Sequence, residues 1–303
     1  MQNPFSTQPE LFITSADLEH PSLQGLDGAE AVLDWAILER LMAGIYAGKT
    51  GRPSYPLLTL LRASLLGIWY RLSDVELAQT LFRDLLFRKF CHLELGGSVP
   101  DASTIGRFRA RLVEHDLWEI LLGEVNRQLE AKHIIMREGR INIIDATPVE
   151  AAQSGPGKGA DGQPTRDRDA GWHVKADSRG TLKSTYGYSV HTSVDEDGFI
   201  HRQTVTAGNV HDSVERDTLL LGDETALYAD AAYSSQATRD KLARFGIAYR
   251  VQRKGYRGHP LREADKARNA EIAVTRSGGE RPAATYKTRY GLARTRLMGL
   301  RKT

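Results

Sequence analysis

Hydrophobic and polar positions divide the chain into a helical half and an alternating half. From Asp27 to Tyr46 the apolar residues recur at helical spacing. Gly48 to Pro53 interrupt them as a loop, and Pro56 to Ala63 opens another helix, proline being tolerated in a first turn. Ser73-Asp74-Val75-Glu76 has the form of a capping box, Ser at the N-cap and Glu three residues on, heading a helix through about Phe90. Val99 to Ile105 makes a sharp turn into a further, basic helix. Residues 27 to about 135 are therefore expected to form an all-helical domain. Residues 1–26 lack periodicity and are rich in Pro, Ser and Gln, the composition of a loosely held arm.

Beyond this point the period changes. Arg140 to Glu150 is an apolar run long enough for one strand, with Asp145 toward its far end and Pro148 as its expected stop. Residues from Ala151 to about Ser184 are rich in Gly, Pro and Asp and read as an irregular insertion. Tyr186 to Val194 is a strand, Asp195-Glu196-Asp197-Gly198 a hairpin turn, and Phe199 to Thr206 the return strand. A short helix is expected over Val214–Leu221, a strand over Ala226–Tyr233, a helix over Ser235–Phe245 and a strand over Ile247–Gln252, before a helical end. That order predicts an α/β domain over residues 136–303, a mixed five-stranded sheet with helices on its faces.

Composition narrows the class. With 41% hydrophobic and 26% charged residues this is an ordinary globular chain of about two domains. The single cysteine, Cys91, excludes an internal disulfide and fits a reducing compartment. No apolar run reaches about 18 residues, and no basic-then-apolar leader opens the chain. A cytoplasmic protein without a membrane partner is expected. The net charge of +3 is unevenly placed: Arg281, Lys287, Arg289, Arg294, Arg296, Arg301 and Lys302 have no acidic residue among them, the footprint of a polyanion-binding surface. Arg107 and Arg111, one helical turn apart, share a face of the basic helix that follows Val99–Ile105, which resembles a helix-turn-helix reader of DNA.

The chemistry rests on carboxylates. A buried, unpaired Asp costs several kcal/mol, so Asp145 implies a partner: an Arg, backbone N–H groups or a metal ion. Asp230 likewise follows an apolar stretch, Leu227-Tyr228-Ala229. Two strands that each deliver an Asp at the C-terminal side of one sheet stand where open α/β folds put their chemistry. Carboxylates brought close repel unless protonated or bridged by a cation, and Mg²⁺ favours sites of a few carboxylates plus phosphate oxygens. His191, His211 and Asp212 lie outside this set as supporting candidates, histidine being a poor ligand for a hard cation. No Gly-rich phosphate loop, Cys metal motif or Gly-x-Ser-x-Gly elbow occurs.

Several segments, taken in order, carry a family resemblance: Leu72-Ser73-Asp74, Pro100-Asp101-Ala102-Ser103-Thr104, Ile144-Asp145-Ala146-Thr147, Arg166-Asp167, Gly187-Tyr188, Asn209-Val210-His211-Asp212, Ala229-Asp230-Ala231-Ala232-Tyr233 and Glu280-Arg281-Pro282. Together they resemble DDE transposases of the insertion sequence 5 family, from about Gly51 onward. The resemblance implies a ribonuclease-H-like sheet in which Asp145, Asp230 and Glu280 hold two divalent ions, Mg²⁺ with Mn²⁺ as a substitute. Arg276, Glu280 and Lys287 match the family's R-x3-E-x6-K motif, and on a regular helix they fall within roughly 40° of one face. Glu280 would then face the metals, while Arg276, Lys287 and Arg289 join Arg107 and Arg111 as DNA contacts.

The function so implied is cleavage and joining of insertion-sequence ends on double-stranded DNA. Its partners would be terminal inverted repeats, a target DNA and a second copy of the chain, at the nucleoid of a bacterium. The chain departs from the family at Ala273, at Gly278-Gly279, at Ala283 and at Ser189, where the family commonly has Lys. Gly278-Gly279 and Pro282 predict a helix that starts near Glu280, which would take Arg276 off its face. The alternatives from other classes are a catalytically decayed or recruited copy that regulates by binding DNA, and a metal-dependent nuclease.

Overall fold

The computed structural model describes residues 19–46, 54–135, 140–160, 162–163, 165–176 and 181–303, divided into two compact units, 1–128 and 129–303. Most of the expected arm, residues 1–18, and the loop at Gly48–Pro53 lie outside the described residues.

The first unit is helical. The stretch expected as one helix from Asp27 is two, α1 (Asp27–Val32) and α2 (Trp35–Met42), because the Asp34 carboxylate accepts the N–H groups of Ala36 and Ile37 and starts a new helix. α3 (Leu57–Trp69) follows, then α4 (Asp74–Arg83), where Ser73 and Glu76 form both bonds of the expected capping box. Asp84 closes α4 and caps α5 (Leu85–Phe90) through the Phe87 N–H, so the helix expected to run to Phe90 is also broken. α6 (Ala102–Glu114) is capped by Asp101, whose bonds to Thr104 and Ser103 hold its carboxyl down at about 2. α7 (Leu117–Ala131) completes the helices. Leu38, Leu60, Leu66, Leu77, Leu81, Ile105, Phe108 and Leu112 form one core. Arg62 is buried within it, paired to Glu30 at 2.7 Å and stacked 4.5 Å from the Trp35 ring. Cys91 is buried beside it, its thiol pushed up to about 12 by desolvation. Arg109 reaches back to Asp74 with two bonds of 2.6 Å and fastens α6 to α4, which leaves Arg107 and Arg111 as the outward arginines, Arg111 paired to Glu114.

The second unit is built on β1 (Ile141–Glu150), β2 (Gly171–Ala176), β3 (Leu182–Val194), β4 (Ile200–Ala207), β5 (Ala226–Ala229) and β6 (Ala248–Val251). The sheet runs β2-β3-β1-β5-β6, with β4 also paired to β3. β1, β3 and β4 are antiparallel neighbours, while β5 and β6 run parallel to β1. With β2 set aside as an insertion, the three antiparallel strands β1, β3 and β4 followed by two parallel ones form the expected ribonuclease-H-like arrangement. The sheet has one strand more than expected, since β2 and the start of β3 occupy part of the stretch read as irregular. Pro148 does not stop β1 but pairs with Ser189 inside it. It is tolerated because β5 ends opposite Ile144, leaving that edge of β1 without a neighbour that needs an N–H.

The helix expected over Val214–Leu221 is absent. Only a 3-10 turn, Asp212–Val214, forms there, because the segment buries little beyond Leu219 and so short a helix is not stable without an apolar face to dock. α8 (Gln236–Arg244), capped by Ser235, packs Leu242 with Ile144, Leu227, Ala229 and Tyr233 on the sheet. α9 (Glu263–Arg276), a 3-10 turn over Ser277–Gly279 and α10 (Glu280–Thr288) end the regular structure. No helix among the described residues is long and apolar enough to cross a membrane.

Candidate active site

β1 outruns β5. The last parallel pair is Ile144 with Ala229, so Asp145 and Asp230 are the next residues on two adjacent parallel strands. Ile144 and Ala229 are fully buried, which holds both strand ends firmly. Asp230 also caps the 3-10 turn Ala231–Tyr233, accepting the Ala232 N–H at 2.8 Å. Farther along, the free edge of β1 is covered again: Glu150 exchanges backbone bonds with Ala293 and Thr295, and Arg294 pairs with its carboxylate at 2.6 Å. Between these two covers the edge is open. A cleft of about 280 Å³ lies there, lined by Asp145, Ala146, Thr147 and Pro148 in succession.

Glu280 and Arg276 enter this cleft from the helical end. α10 begins at Glu280, as expected, and Pro282 falls harmlessly in its first turn. Arg276 is nevertheless not turned away, because the 3-10 turn continues the winding from α9 into α10. Its Nη1 donates to Asp145 Oδ1 at 3.2 Å and its Nη2 to Glu280 Oε1 at 3.4 Å. The two glycines make this possible. Gly279 sits so close to the sheet that an added Cβ would lie 2.8 Å from Ile143 Cγ2, and Gly278 faces the same side chain. Ala283 lines the cleft as well.

The electrostatics follow from this packing. Burial pushes the Asp145 carboxyl above its usual value; Arg276 opposes the shift, while Asp230 and Glu280 add to it by like-charge repulsion. Asp212 also lines the cleft, and behind it His191 is fully buried, 2.9 Å from Thr206 Oγ1, 3.4 Å from the Tyr233 hydroxyl and 3.9 Å from the Asp212 carboxylate. Desolvation lowers the His191 pKa and raises that of Tyr233, so both are neutral. His211 instead caps its own 3-10 turn through the Ser213 N–H.

Of the residues singled out in the sequence, Asp145, Asp230, Glu280 and Arg276 thus meet in one cleft. Lys287, near the end of α10, and Arg289, just past it, do not line it. The residues the sequence reading missed are His173 and Lys175 of β2, hidden in the stretch taken for a loop. The only available signal was the alternation of Trp172, His173, Val174 and Lys175.

Oxygen donors of this kind suit a hard divalent cation; beyond the desolvation that dominates the rise in Asp145, a cation would relieve the smaller repulsion from Asp230 and Glu280. Among the described residues no three His, Cys, Asp or Glu side chains stand close enough to hold a metal ion, and the Arg276 guanidinium bridges Asp145 and Glu280. The donor set therefore fits a divalent ion by its chemistry, with Arg276 as the cation between two of its members here.

Two family models match the chain. Residues 18–111 match a transposase domain (DUF772), and residues 137–303, more than half of the chain, match the transposase DDE domain. The chain belongs to the DDE transposases. A solved structure of the Mos1 strand transfer complex aligns with 86% of the transposase and 85% of its own chain, at 10% identity and a TM-score of 0.21, a likeness too slight to argue from. The family match makes the transposase a metal-dependent enzyme that cleaves DNA and transfers strands, and DNA its substrate. It also disfavours the decayed copy suggested by Gly278-Gly279, since those glycines have a packing role against Ile143.

Proposed function

We propose that the transposase is of the insertion sequence 5 type and that Asp145, Asp230 and Glu280 are its catalytic, metal-holding carboxylates. The observation that carries this reading is the adjacency of Asp145 and Asp230 past the final β1–β5 pair, with Glu280 reached through Arg276. Two Mg²⁺ ions, for which Mn²⁺ can substitute, would supply activation of the attacking water or 3′-hydroxyl and charge relief on the leaving oxygen. The remaining work falls to the chain itself. The rigid strand ends fix the two aspartates, and α10 fixes Glu280. Asp145 must be ionised to serve, so its raised pKa sets an acid limit on activity.

Arg276 holds Asp145 and Glu280 at a fixed separation. The open window on the β1 edge admits the DNA backbone, while Arg107 and Arg111 of α6 and the basic residues Lys287 and Arg289 supply further phosphate contacts. Its substrates would be the terminal inverted repeats of its own element and a target duplex. Joining two ends calls for at least two copies of the chain, working at the bacterial nucleoid.

The test is cleavage of labelled end duplexes in Mg²⁺ by wild type, Asp145→Ala and Asp230→Ala. Cleavage and end joining should fall by at least about 100-fold in each variant. Full activity in either one would sink the assignment.

A further inference from the structure

β2 and β3 lie antiparallel, with His173 opposite Thr185 and Lys175 opposite Lys183. Side chains alternate along a strand, so His173 and Lys175 share one face while Trp172 and Val174 share the other. The cleft takes the first pair: both line it beside Asp145, Pro148 and Ser189. Trp172 on the opposite face rests on Tyr186, ring centroids 5.2 Å apart, and this contact fixes the rotation of β2. Gly208 presses the strand from one side, so closely that a Cβ there would lie 2.8 Å from the Gly171 carbonyl and 3.2 Å from the His173 nitrogen. The placement of Lys175 is therefore built into the sheet.

The charges explain what Lys175 is for. Asp145, Asp212, Asp230 and Glu280 line the cleft, and the bonded cation among them, Arg276, is engaged by two of the four. Lys175 also lines the cleft but makes no ion pair with any acid among the described residues, and it is exposed. A phosphodiester entering four carboxylates is repelled unless a free cation meets it. We propose that Lys175, with His173 beside it, binds the backbone phosphate next to the bond being cut and so sets the position of the DNA strand in the cleft. The inference rests on the cleft being the catalytic site, and adds β2 as its substrate-positioning wall.

The test uses the full chain and a labelled end duplex. Without divalent ion, binding of wild type, Lys175→Ala, Lys175→Arg and Lys241→Ala is followed by fluorescence anisotropy over a range of salt. Lys241, on α8 and outside the cleft, controls for loss of any positive charge. Lys175→Ala should lower affinity about fivefold at 0.15 M salt and lower the salt slope by about 1, equally on unrelated duplexes. Lys175→Arg should keep both, and so should Lys241→Ala. In Mg²⁺ the KM for end cleavage should rise by the same factor with kcat unchanged. Lys175→Cys should form disulfides with thiol tethers on phosphates flanking the cut and not with distant ones. The single native cysteine, Cys91, is buried and should stay silent. An unchanged slope in Lys175→Ala, an equal loss in Lys241→Ala, or tethering without positional preference overturns the proposal while leaving the catalytic site standing. A wild-type chain that neither binds nor cleaves the ends overturns both.

Discussion

Arg276 donates from Nη1 to Asp145 Oδ1 at 3.2 Å, joining residues 131 positions apart in the chain. The same guanidinium reaches Glu280, so a fixed monovalent cation sits between two carboxylates proposed to hold divalent ions. A divalent ion at this place feels the guanidinium's repulsion and competes for its partners. Arg276→Gln should therefore bind Mg²⁺ or Mn²⁺ more tightly, on the order of tenfold at pH 8. Isothermal titration of the two proteins reads this directly. Weaker binding in the variant would mean that Arg276 orders the donors more than it competes with the metal.

Asp145 bears on stability as well as on chemistry. Its folded pKa is raised, first by desolvation and then by Asp230 and Glu280. A group raised above its unfolded value contributes stability below the unfolded pKa and loses it as pH rises through the folded one. The ionised carboxylate therefore destabilises the fold at neutral pH, a cost borne for function. Asp145→Asn keeps the shape without the charge. In metal-free buffer its Tm should exceed that of wild type at pH 7, and the gap should close toward pH 4. A lower Tm at pH 7 would show that the Arg276 bond outweighs the burial.

The two aspartates were legible because apolar runs such as Ile143-Ile144 and Leu227-Tyr228-Ala229 lead straight into them, and buried strand ends give an acid few alternatives. Pro148 was not legible as a strand residue. Its tolerance depends on β5 stopping at Ala229, a fact about a neighbour more than 80 residues away. β2 was hidden for a related reason: its alternation is short and its apolar positions, Trp172 and Val174, stay exposed, so pairing with β3 is what makes the six residues a strand. Gly278-Gly279 looked like a fault in a helix. Local propensity does charge for them, but the approach of the turn to Ile143 decides the matter.

His191 should govern the mildly acidic limb of stability. It is fully buried, and desolvation lowers its pKa more than Asp212 restores it. In the unfolded chain the same imidazole takes up a proton near pH 6.5. The unfolded state thus binds more protons as pH falls below that value, and stability drops with it. Asp195 is held low by His201 and backbone N–H groups, so its own loss begins only below about pH 4. Between pH 7 and pH 5 the urea midpoint should fall more steeply for wild type than for His191→Gln. Parallel slopes would move the acid sensitivity elsewhere.

Gly279 gives the sharpest link between packing and chemistry. It precedes Glu280 directly, and an added Cβ would lie 2.8 Å from Ile143 Cγ2 and 3.6 Å from Val194 Cγ2. Ile143 and Val194 are fully buried and paired across β1 and β3, so neither can give way. The turn itself must lift, and Glu280 lifts with it, away from Asp145. Gly279→Ala should cost about 1–3 kcal/mol by overpacking, even though alanine is the better helix former by about 1 kcal/mol. DNA binding without divalent ion should largely survive, because Lys175 and His173 on β2 are untouched, while Mg²⁺-dependent cleavage falls at temperatures where the variant is still folded. A second change, Ile143→Leu, removes the β-branch methyl Cγ2 from the other side of the contact at equal side-chain volume and should recover part of both losses. If Gly279→Ala instead stabilises the protein, helix propensity governs the turn and the close approach is not required.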